Sequence, residues 1–584
     1  MGGDDLTLEQ ATKQMTAPGQ MFEVERVTVG GIEMNVWKHS PANLRQILDL
    51  SLSHASRDFL VYEGQRFTVD EHYRRAATLA HRLLDAGVVK GDRVAIASRN
   101  LPQWIMSFWG AVTAGAVIVP LNAWWTSEEL QYGLSDSLTS MLFVDEERLE
   151  RIHPLFDTLP ELRTVIVIGE GPERPARSDL GHSRVRVISF DEFLGPIDDA
   201  ITPPNVEILA DDLATMFYTS GTTGHPKGAV GTHRNAIANL MNLFFVGQRA
   251  TLRFGSVVEE RSTANANLLN VPLFHATGCL ATMVVATASG GKLVMMHHFD
   301  PQRALELIEA ERITNIGGVP TIAMQILDHP EFSKYDTSSV RSVSYGGAPA
   351  PPELVKRIRA AFPEGQAGNG YGLTETSAAV CMNLGPDYIA KPTSCGPAVP
   401  VCEVAIVPDG FDGAEPTPDL PHGPDVVGEL WIKGPNVVSG YWNKPEATAK
   451  SFSRGWLHTG DIAKIDDEGF IYIVDRAKDM IIRGGENVYS VIVEAAIFEH
   501  PDVIDCAVVG LPHSTLGEEV AAVIVLRPGC VLEAGEIARH VAHHLAHYEV
   551  PSKIFFRSDP LPRNPQGKVL KRELRNSLSE VSTT

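Results

Sequence analysis

Cysteine is scarce here, and the six that occur (Cys279, Cys381, Cys395, Cys402, Cys506 and Cys530) show no C-x-x-C spacing. That speaks against a zinc site and a disulfide framework, and fits a reducing cytoplasm. Positive charge is also short: 50 Lys and Arg stand against 72 Asp and Glu, a net charge of −22. Such a balance opposes non-specific binding to nucleic acid and to anionic lipid, so any anionic ligand must be met by a local cluster of cations and backbone amides. No long apolar run reads as a membrane span. The longest charge-free stretch, Asn100 to Ser127, is broken by Pro102, Gly110, Gly115 and Pro120, and predicts a buried helix followed by a buried strand. No basic stretch followed by an apolar core marks a signal peptide, and Leu6 stands where a myristoylation signal needs Ser or Thr. A Gly-x-Ser-x-Gly nucleophile elbow is missing too.

What is present is a chain of 584 residues, 44% hydrophobic and 21% charged, long enough for three or four globular units. Its most unusual stretch is Tyr218 to Val230, YTSGTTGHPKGAV. Gly221, Gly224 and Gly228 let backbone N–H groups turn inward, Ser220, Thr222 and Thr223 add hydroxyls, and Lys227 adds a point charge. The segment reads as a polyphosphate-holding loop. It is not a Walker A loop, because Lys227 follows Pro226 and Gly228 stands where Ser or Thr is needed.

Taken in order, about sixteen polar residues read as disordered, and RVTVGGIEMNVWK alternates apolar and polar around Gly30-Gly31 as a hairpin does. A helix is expected from Leu44, and a second from the capping box Thr68–Glu71 to a C-cap at Gly87, leading into the strand RVAIAS. Helix and buried strand then recur, with strands at Arg312–Pro320 and Ser339–Gly347 each reaching a glycine pair, which predicts a largely parallel sheet with ligand crevices at its strand ends. Asp409 to Gly428 and Glu170 to Val187 read as exposed loops. After Asp475 comes a short α+β module: a helix at Val491–Glu499, strands VIDCAVVG and VAAVIVL, a helix from Glu533 to His547, and a strand at KIFF. A boundary at Lys478 divides the chain into an extension (1–40), a large domain (41–477) and a small one (478–584).

Four further stretches carry chemistry. NGYGLTETS ends in Thr374 and Glu375, a hydroxyl and a carboxylate that suit Mg²⁺ beside phosphates, or a helix N-cap. GWLHTGD places Asp461 at a glycine turn, suited to a ribose diol or equally to an Asx-turn. DRAKDMIIRGGENV joins Arg476 and Lys478 to the Gly484-Gly485 turn, and LPRNPQGKVLKREL holds Lys568 after Gly567. His540, His543, His544 and His547 follow helical spacing. They fit the solvated flank of a helix whose apolar stripe is Ile537, Val541 and Leu545 better than a metal site.

The five motifs in this order resemble the adenylate-forming superfamily of acyl-CoA synthetases, adenylation domains and beetle luciferases, from about Asp58 to Lys571. The resemblance implies an α/β fold: two αβαβα sheet subdomains and a small β-barrel in a large N-terminal domain, then a small mobile α+β domain. It implies that Thr219, Ser220, Gly221, Thr222, Thr223, Gly224 and Lys227 hold the ATP phosphates, and that Gly347, Ala348, Pro349, Tyr371 and Gly372 lie beside adenine and ribose. By the same resemblance Thr374 contacts the α-phosphate, Glu375 binds Mg²⁺, Asp461 clasps the ribose, Arg476 lies near ribose and phosphate, Lys568 is the adenylation lysine and Lys478 the hinge. His275 and Gly346 fall at the acyl site. The implied reaction joins a carboxylic acid to coenzyme A at the expense of ATP. The stretch LLNVPLFHATGCLATMVV contains no aspartate to meet an amino group, which points to an apolar acid, medium- or long-chain fatty acids first; aryl and polycyclic acids use similar pockets. An acyl-AMP ligase serving a separate carrier, a luciferase-like oxidase and a non-catalytic acyl-nucleotide sensor are the alternatives. Peripheral membrane contact and a homodimer stay open.

Overall fold

Strands buried on both faces read as near-continuous apolar runs, and RVAIA, VIVPL, MLFVD and TVIVI are such runs. In the computed structural model, which describes residues 6–169, 184–219, 225–255, 265–347, 352–421, 423–564 and 567–581, they form the centre of a seven-stranded sheet. Its order is Lys227–Thr232, Leu213–Thr219, Val117–Leu121, Arg93–Ala97, Met141–Asp145, Thr164–Ile168, Arg186–Ser189. Only the first pair is antiparallel. The charge-free stretch becomes the buried helix Pro102–Thr113 and the strand Val117–Leu121. Gly110 lets that helix lie against Val69–Asp85, since a Cβ there would sit 2.7 Å from Leu79 Cβ.

A second, eight-stranded sheet runs Cys381–Leu384, Gln366–Tyr371, Ser342–Gly346, Asn315–Gly318, Ala266–Leu269, Lys292–Met295, Asp58–Tyr62, Gln65–Thr68, parallel through its middle. A six-stranded antiparallel sheet stands where the small barrel is expected, with Trp456–Ile465 and Phe470–Arg476 as neighbours. The last sheet has five strands between Ile481 and Arg557, dominated by the pair Val503–His513 and Gly517–Leu526. The chain is therefore a mixed α/β protein with a large N-terminal and a small C-terminal domain.

Two expectations fail locally. The N-terminal stretch is not without structure: Leu8–Met15 is a helix with a complete Thr7–Gln10 capping box, burying Ala11 and Met15. A polar composition hid it, because only one face of so short a helix needs to be apolar. The helix expected to reach His547 stops at Ala542, so His543, His544 and His547 leave the helical row. The His540 ring instead meets Ala496 O through Nε2 at 3.0 Å, and His544 faces Glu499 at 3.6 Å. The Gly30-Gly31 hairpin is formed, with both glycines at positive φ.

The segment entering the small domain is tied to it by buried polar groups. Asp475, at the end of Phe470–Arg476, accepts hydrogen bonds from Ser490 N and, at 3.0 Å, from Ser490 Oγ. Lys571 Nζ donates to Ser490 Oγ at 2.6 Å and pairs with Glu494 at 2.7 Å.

Candidate active site

A cavity of about 900 Å³ opens where the C-terminal ends of the second sheet meet the six-stranded sheet and the loop carrying Lys568. Thr219, Lys227, His275, Gly346, Gly347, Tyr371, Gly372, Thr374, Glu375, Asp461, Arg476, Lys478 and Lys568 all line it. The expected phosphate-loop residues Ser220, Gly221, Thr222, Thr223 and Gly224, and Ala348 and Pro349 beside the nucleotide, lie outside the described residues.

The residues on either side of that phosphate-loop segment are described. Thr219 and Lys227 pair across the antiparallel strands Leu213–Thr219 and Lys227–Thr232. Tyr218 Oη donates to Asp136 at 2.8 Å, Lys444 Nζ reaches the same carboxylate at 2.7 Å, and Tyr132 Oη donates to Pro226 O at 3.0 Å. Burial and the Asp136 carboxylate hold the Tyr218 phenol well above its ordinary value, so it stays a donor.

Glu375 follows the strand Gln366–Tyr371 on a single 3₁₀ turn, Thr374–Thr376. Tyr441 Oη donates to Glu375 Oε1 at 2.8 Å, while Lys227 Nζ lies 4.8 Å from the centre of the Tyr441 ring. One ring thus orients the carboxylate and holds the ammonium. Among the described residues no group of three or more His, Cys, Asp and Glu could hold a metal ion. A lone carboxylate facing a phosphate-sized cavity fits Mg²⁺, which takes one or two carboxylates and completes its shell with phosphate oxygens and water.

Asp461 was expected at a turn, and the structure corrects this: it lies inside the strand Trp456–Ile465, directly across from Arg476. Gly460, at φ +69°, makes the irregularity that aims it, and its N–H donates to Glu429 at 2.8 Å. Asp461 is 3% exposed, accepts from Tyr371 Oη at 2.7 Å and pairs with Arg476 at 3.2 Å. Both of its oxygens are therefore prealigned.

Lys568 arrives on the turn from Arg563 to Val569, where its N–H donates to Asn564 Oδ1 and Asn564 N donates to its carbonyl. Gly567, at φ +78°, seats that turn on the large domain; a Cβ there would lie 2.9 Å from Val319 Cγ2. Burial, then the Arg476 guanidinium and the Lys478 ammonium, pull Lys568 down to about 7, with Asp461 and Asp479 opposing.

The acyl side of the cavity is tighter and more mixed than the sequence suggests. Gly278 is forced by a close approach, a Cβ there lying 2.3 Å from Pro272 O. It lies in a π-helical turn, Thr277–Met283, which lines one wall with Ala281 and Thr282. Asn267, Asn315, Ser342 and Ser344 line the cavity as well. Sequence reasoning passed over them, and over Tyr441, Asp136 and Lys444. The signal available was the alternation within RITNIGGVP and SVRSVSYGG, which puts every second residue on one face.

Comparison with known proteins decides the family. A family model described as AMP-binding enzyme matches residues 51–442, and one described as AMP-binding enzyme C-terminal domain matches residues 492–568. The chain belongs to the AMP-binding enzyme family. A feruloyl-CoA synthase from Amycolatopsis sp is 37% identical over 517 residues, 88% of this chain and 94% of that protein. The long-chain-fatty-acid–CoA ligase FadD13 of Mycobacterium tuberculosis is 36% identical over 516 residues, 87% and 93% of the two chains. Among solved structures, the anthranilate CoA ligase AuaEII in complex with anthranoyl-AMP superposes with a TM-score of 0.81 at 26% identity, covering 93% of this chain and 98% of that one. This AMP-binding enzyme is an acid–thiol ligase that works through an acyl-adenylate and uses ATP and coenzyme A. No helix among its described residues is long and apolar enough to cross a membrane.

Proposed function

We propose that this ligase activates an acid with an extended apolar body, with medium- and long-chain fatty acids as the first reading. Leu243, Ala281 and Val285 on the acyl wall support it, as does the likeness to FadD13. Ring-bearing acids are the second reading, supported by the glycine-lined floor at Gly317, Gly346 and Gly370 and by the likeness to a feruloyl-CoA synthase.

In the first step a carboxylate oxygen bonds to the α-phosphorus of ATP as the bond to the bridging oxygen breaks, releasing pyrophosphate. Glu375 would hold Mg²⁺, which would neutralise charge on the phosphate oxygens. Tyr441 keeps Glu375 and Lys227 in register, Asp461 takes the ribose hydroxyls, and Arg476 and Thr374 face the α-phosphate. Lys568 bridges carboxylate and α-phosphate and carries its proton throughout. In the second step the sulfur of coenzyme A bonds to the acyl carbon, the carbon–oxygen bond to AMP breaks, and the thiol proton leaves to solvent. No side-chain nucleophile is needed. Lys568 and an incoming thiol cannot share one place, so the domain from 478 onward turns about Lys478 between steps, a division at the boundary read from the sequence.

The single observation carrying this reading is the convergence of Glu375, Asp461, Arg476 and Lys568 on one cavity. The test is a carboxylic-acid panel with ATP, Mg²⁺ and coenzyme A, reading pyrophosphate, AMP and thioester. AMP and thioester in equal amounts are expected; adenylate that accumulates while coenzyme A goes unused points to a carrier-dependent ligase and overturns the proposal.

A further inference from the structure

The acyl slot does not end in hydrocarbon. Its floor is the parallel run Ala266–Leu269, Asn315–Gly318, Ser342–Gly346 and Gln366–Tyr371, whose register sets residues in rows. Gly346 lies across from Gly370, Gly317 from Ser344, and Asn315 stands between Asn267 and Ser342. Alternate residues of a strand share a face at about 3.3 Å per residue, so the row Asn267–Asn315–Ser342 lies about 13 Å from the Gly346 row at the reacting edge. An extended acid entering from that edge passes over glycine and meets amides and hydroxyls at its far end.

These polar groups are only partly used by the protein. Asn315 Nδ2 donates to Asn267 Oδ1 at 3.1 Å, and Asn267 Nδ2 donates onward to Lys292 O at 3.2 Å. That chain fixes the amide orientation and leaves Asn315 Oδ1 with no partner among the described residues. Ser342 and Ser344 share one hydrogen bond of 3.1 Å, so whichever hydroxyl accepts still has a hydrogen to give. The far end therefore offers one acceptor and one donor in neighbouring rows, and a hydroxyl group satisfies both through one atom. A hydrocarbon end would strand them out of water, which costs free energy.

We infer that this ligase selects acids carrying a hydroxyl at the end opposite the carboxyl, read by Asn315 with Ser342 and Ser344. The inference rests on the ligase reading above and deepens it. The same chemistry is offered by a phenol and by a terminal aliphatic alcohol, so the test carries both. Wild-type enzyme is assayed for acid-dependent pyrophosphate release with 4-hydroxycinnamic against cinnamic acid, and with 10-hydroxydecanoic against decanoic acid. At least one hydroxylated acid exceeds its parent about ten- to hundredfold in kcat/KM, the scale of leaving buried polar groups unpaired. Asn315→Leu and, as a smaller change, Ser342→Ala bring that ratio to one or below while the KM for ATP holds. Parents used as well as their hydroxylated partners by wild type, or variants that lower both members of a pair in equal proportion, overturn the inference. Pyrophosphate released from none of the four acids overturns the proposed choice of fatty or ring-bearing acid, and this inference with it.

Discussion

The lowered pKa of Lys568 makes a quantitative demand on ATP binding. With its ammonium pulled down to about 7, about nine in ten copies are neutral at pH 8 in the nucleotide-free enzyme. A single negative charge brought to about 4 Å at an effective dielectric of 20 is worth about 4 kcal/mol, or about three pKa units, which lifts the group to about 10. The direction follows: the free group is neutral above 7, the bound group is charged below 10, and between those values binding takes a proton from solution. Uptake is about 0.9 proton at pH 8 and about 0.1 at pH 6, since at pH 6 the free lysine is already charged. Isothermal titration of a non-hydrolysable ATP analogue with Mg²⁺, in two buffers of different ionisation enthalpy, reads this number directly. Lys568→Met should abolish it, and subtracting the variant removes the histidines from the count. Equal uptake by wild type and Lys568→Met at pH 8, or uptake that grows towards pH 6, refutes the reasoning.

Tyr441→Phe keeps the ring beneath Lys227 and removes only the hydroxyl that orients Glu375, so half-saturating Mg²⁺ in pyrophosphate exchange should rise about 10- to 100-fold; an unchanged value shows that Glu375 needs no orienter. A Cβ at Gly346 would lie 2.5 Å from Gly370 O, whereas Gly317 has nothing within 4 Å. Gly346→Ala should therefore lower Tm by an amount equivalent to about 1–3 kcal/mol, and Gly317→Leu should leave Tm nearly unchanged while shifting preference to shorter acids at constant KM for ATP; the reverse pattern is incompatible with the slot described. Lys478→Pro fixes φ near about −65° and removes an N–H, so it should still form adenylate and pyrophosphate yet transfer the acyl group at least tenfold more slowly; near-normal thioester formation from supplied adenylate means the pivot lies elsewhere.

Much of this was legible in the residues because the reaction needs scarce chemistry at fixed places. Glycines and hydroxyls packed before Lys227, a carboxylate after Tyr371, and Lys568 on a glycine turn are hard to explain otherwise, and the cavity gathers Thr219, Lys227, Glu375 and Lys568. What escaped was either supportive or cooperative in space. Asp136 and Lys444 are 308 residues apart, and neither has a local reason to be noticed. The polar row Asn267, Asn315 and Ser342 comes from three strands whose register is a tertiary fact, and each residue alone reads as an ordinary strand position. Asp461 reads as a turn residue, because Gly460 suggests a break where the sheet uses an irregularity against Gly428–Lys433, the long pairing with Phe470–Arg476 outweighing one glycine's preference.

Asp475 stands three residues before Lys478, yet the groups it holds, Ser490 and through it Lys571 and Glu494, lie on the other side. Under the proposed pivot at Lys478, a swing parts the two Asp475–Ser490 bonds, while the Lys571 bonds to Ser490 and Glu494 lie within the small domain and travel with it. Half-way positions keep the desolvation cost and forfeit the pairing, so they are sparsely visited. On that proposal the small domain would behave as a catch that clicks between two seats, not as a door that drifts. For a reactive mixed anhydride that is protection by timing: the interval in which neither lysine nor thiol covers it, and water could hydrolyse it, is kept short.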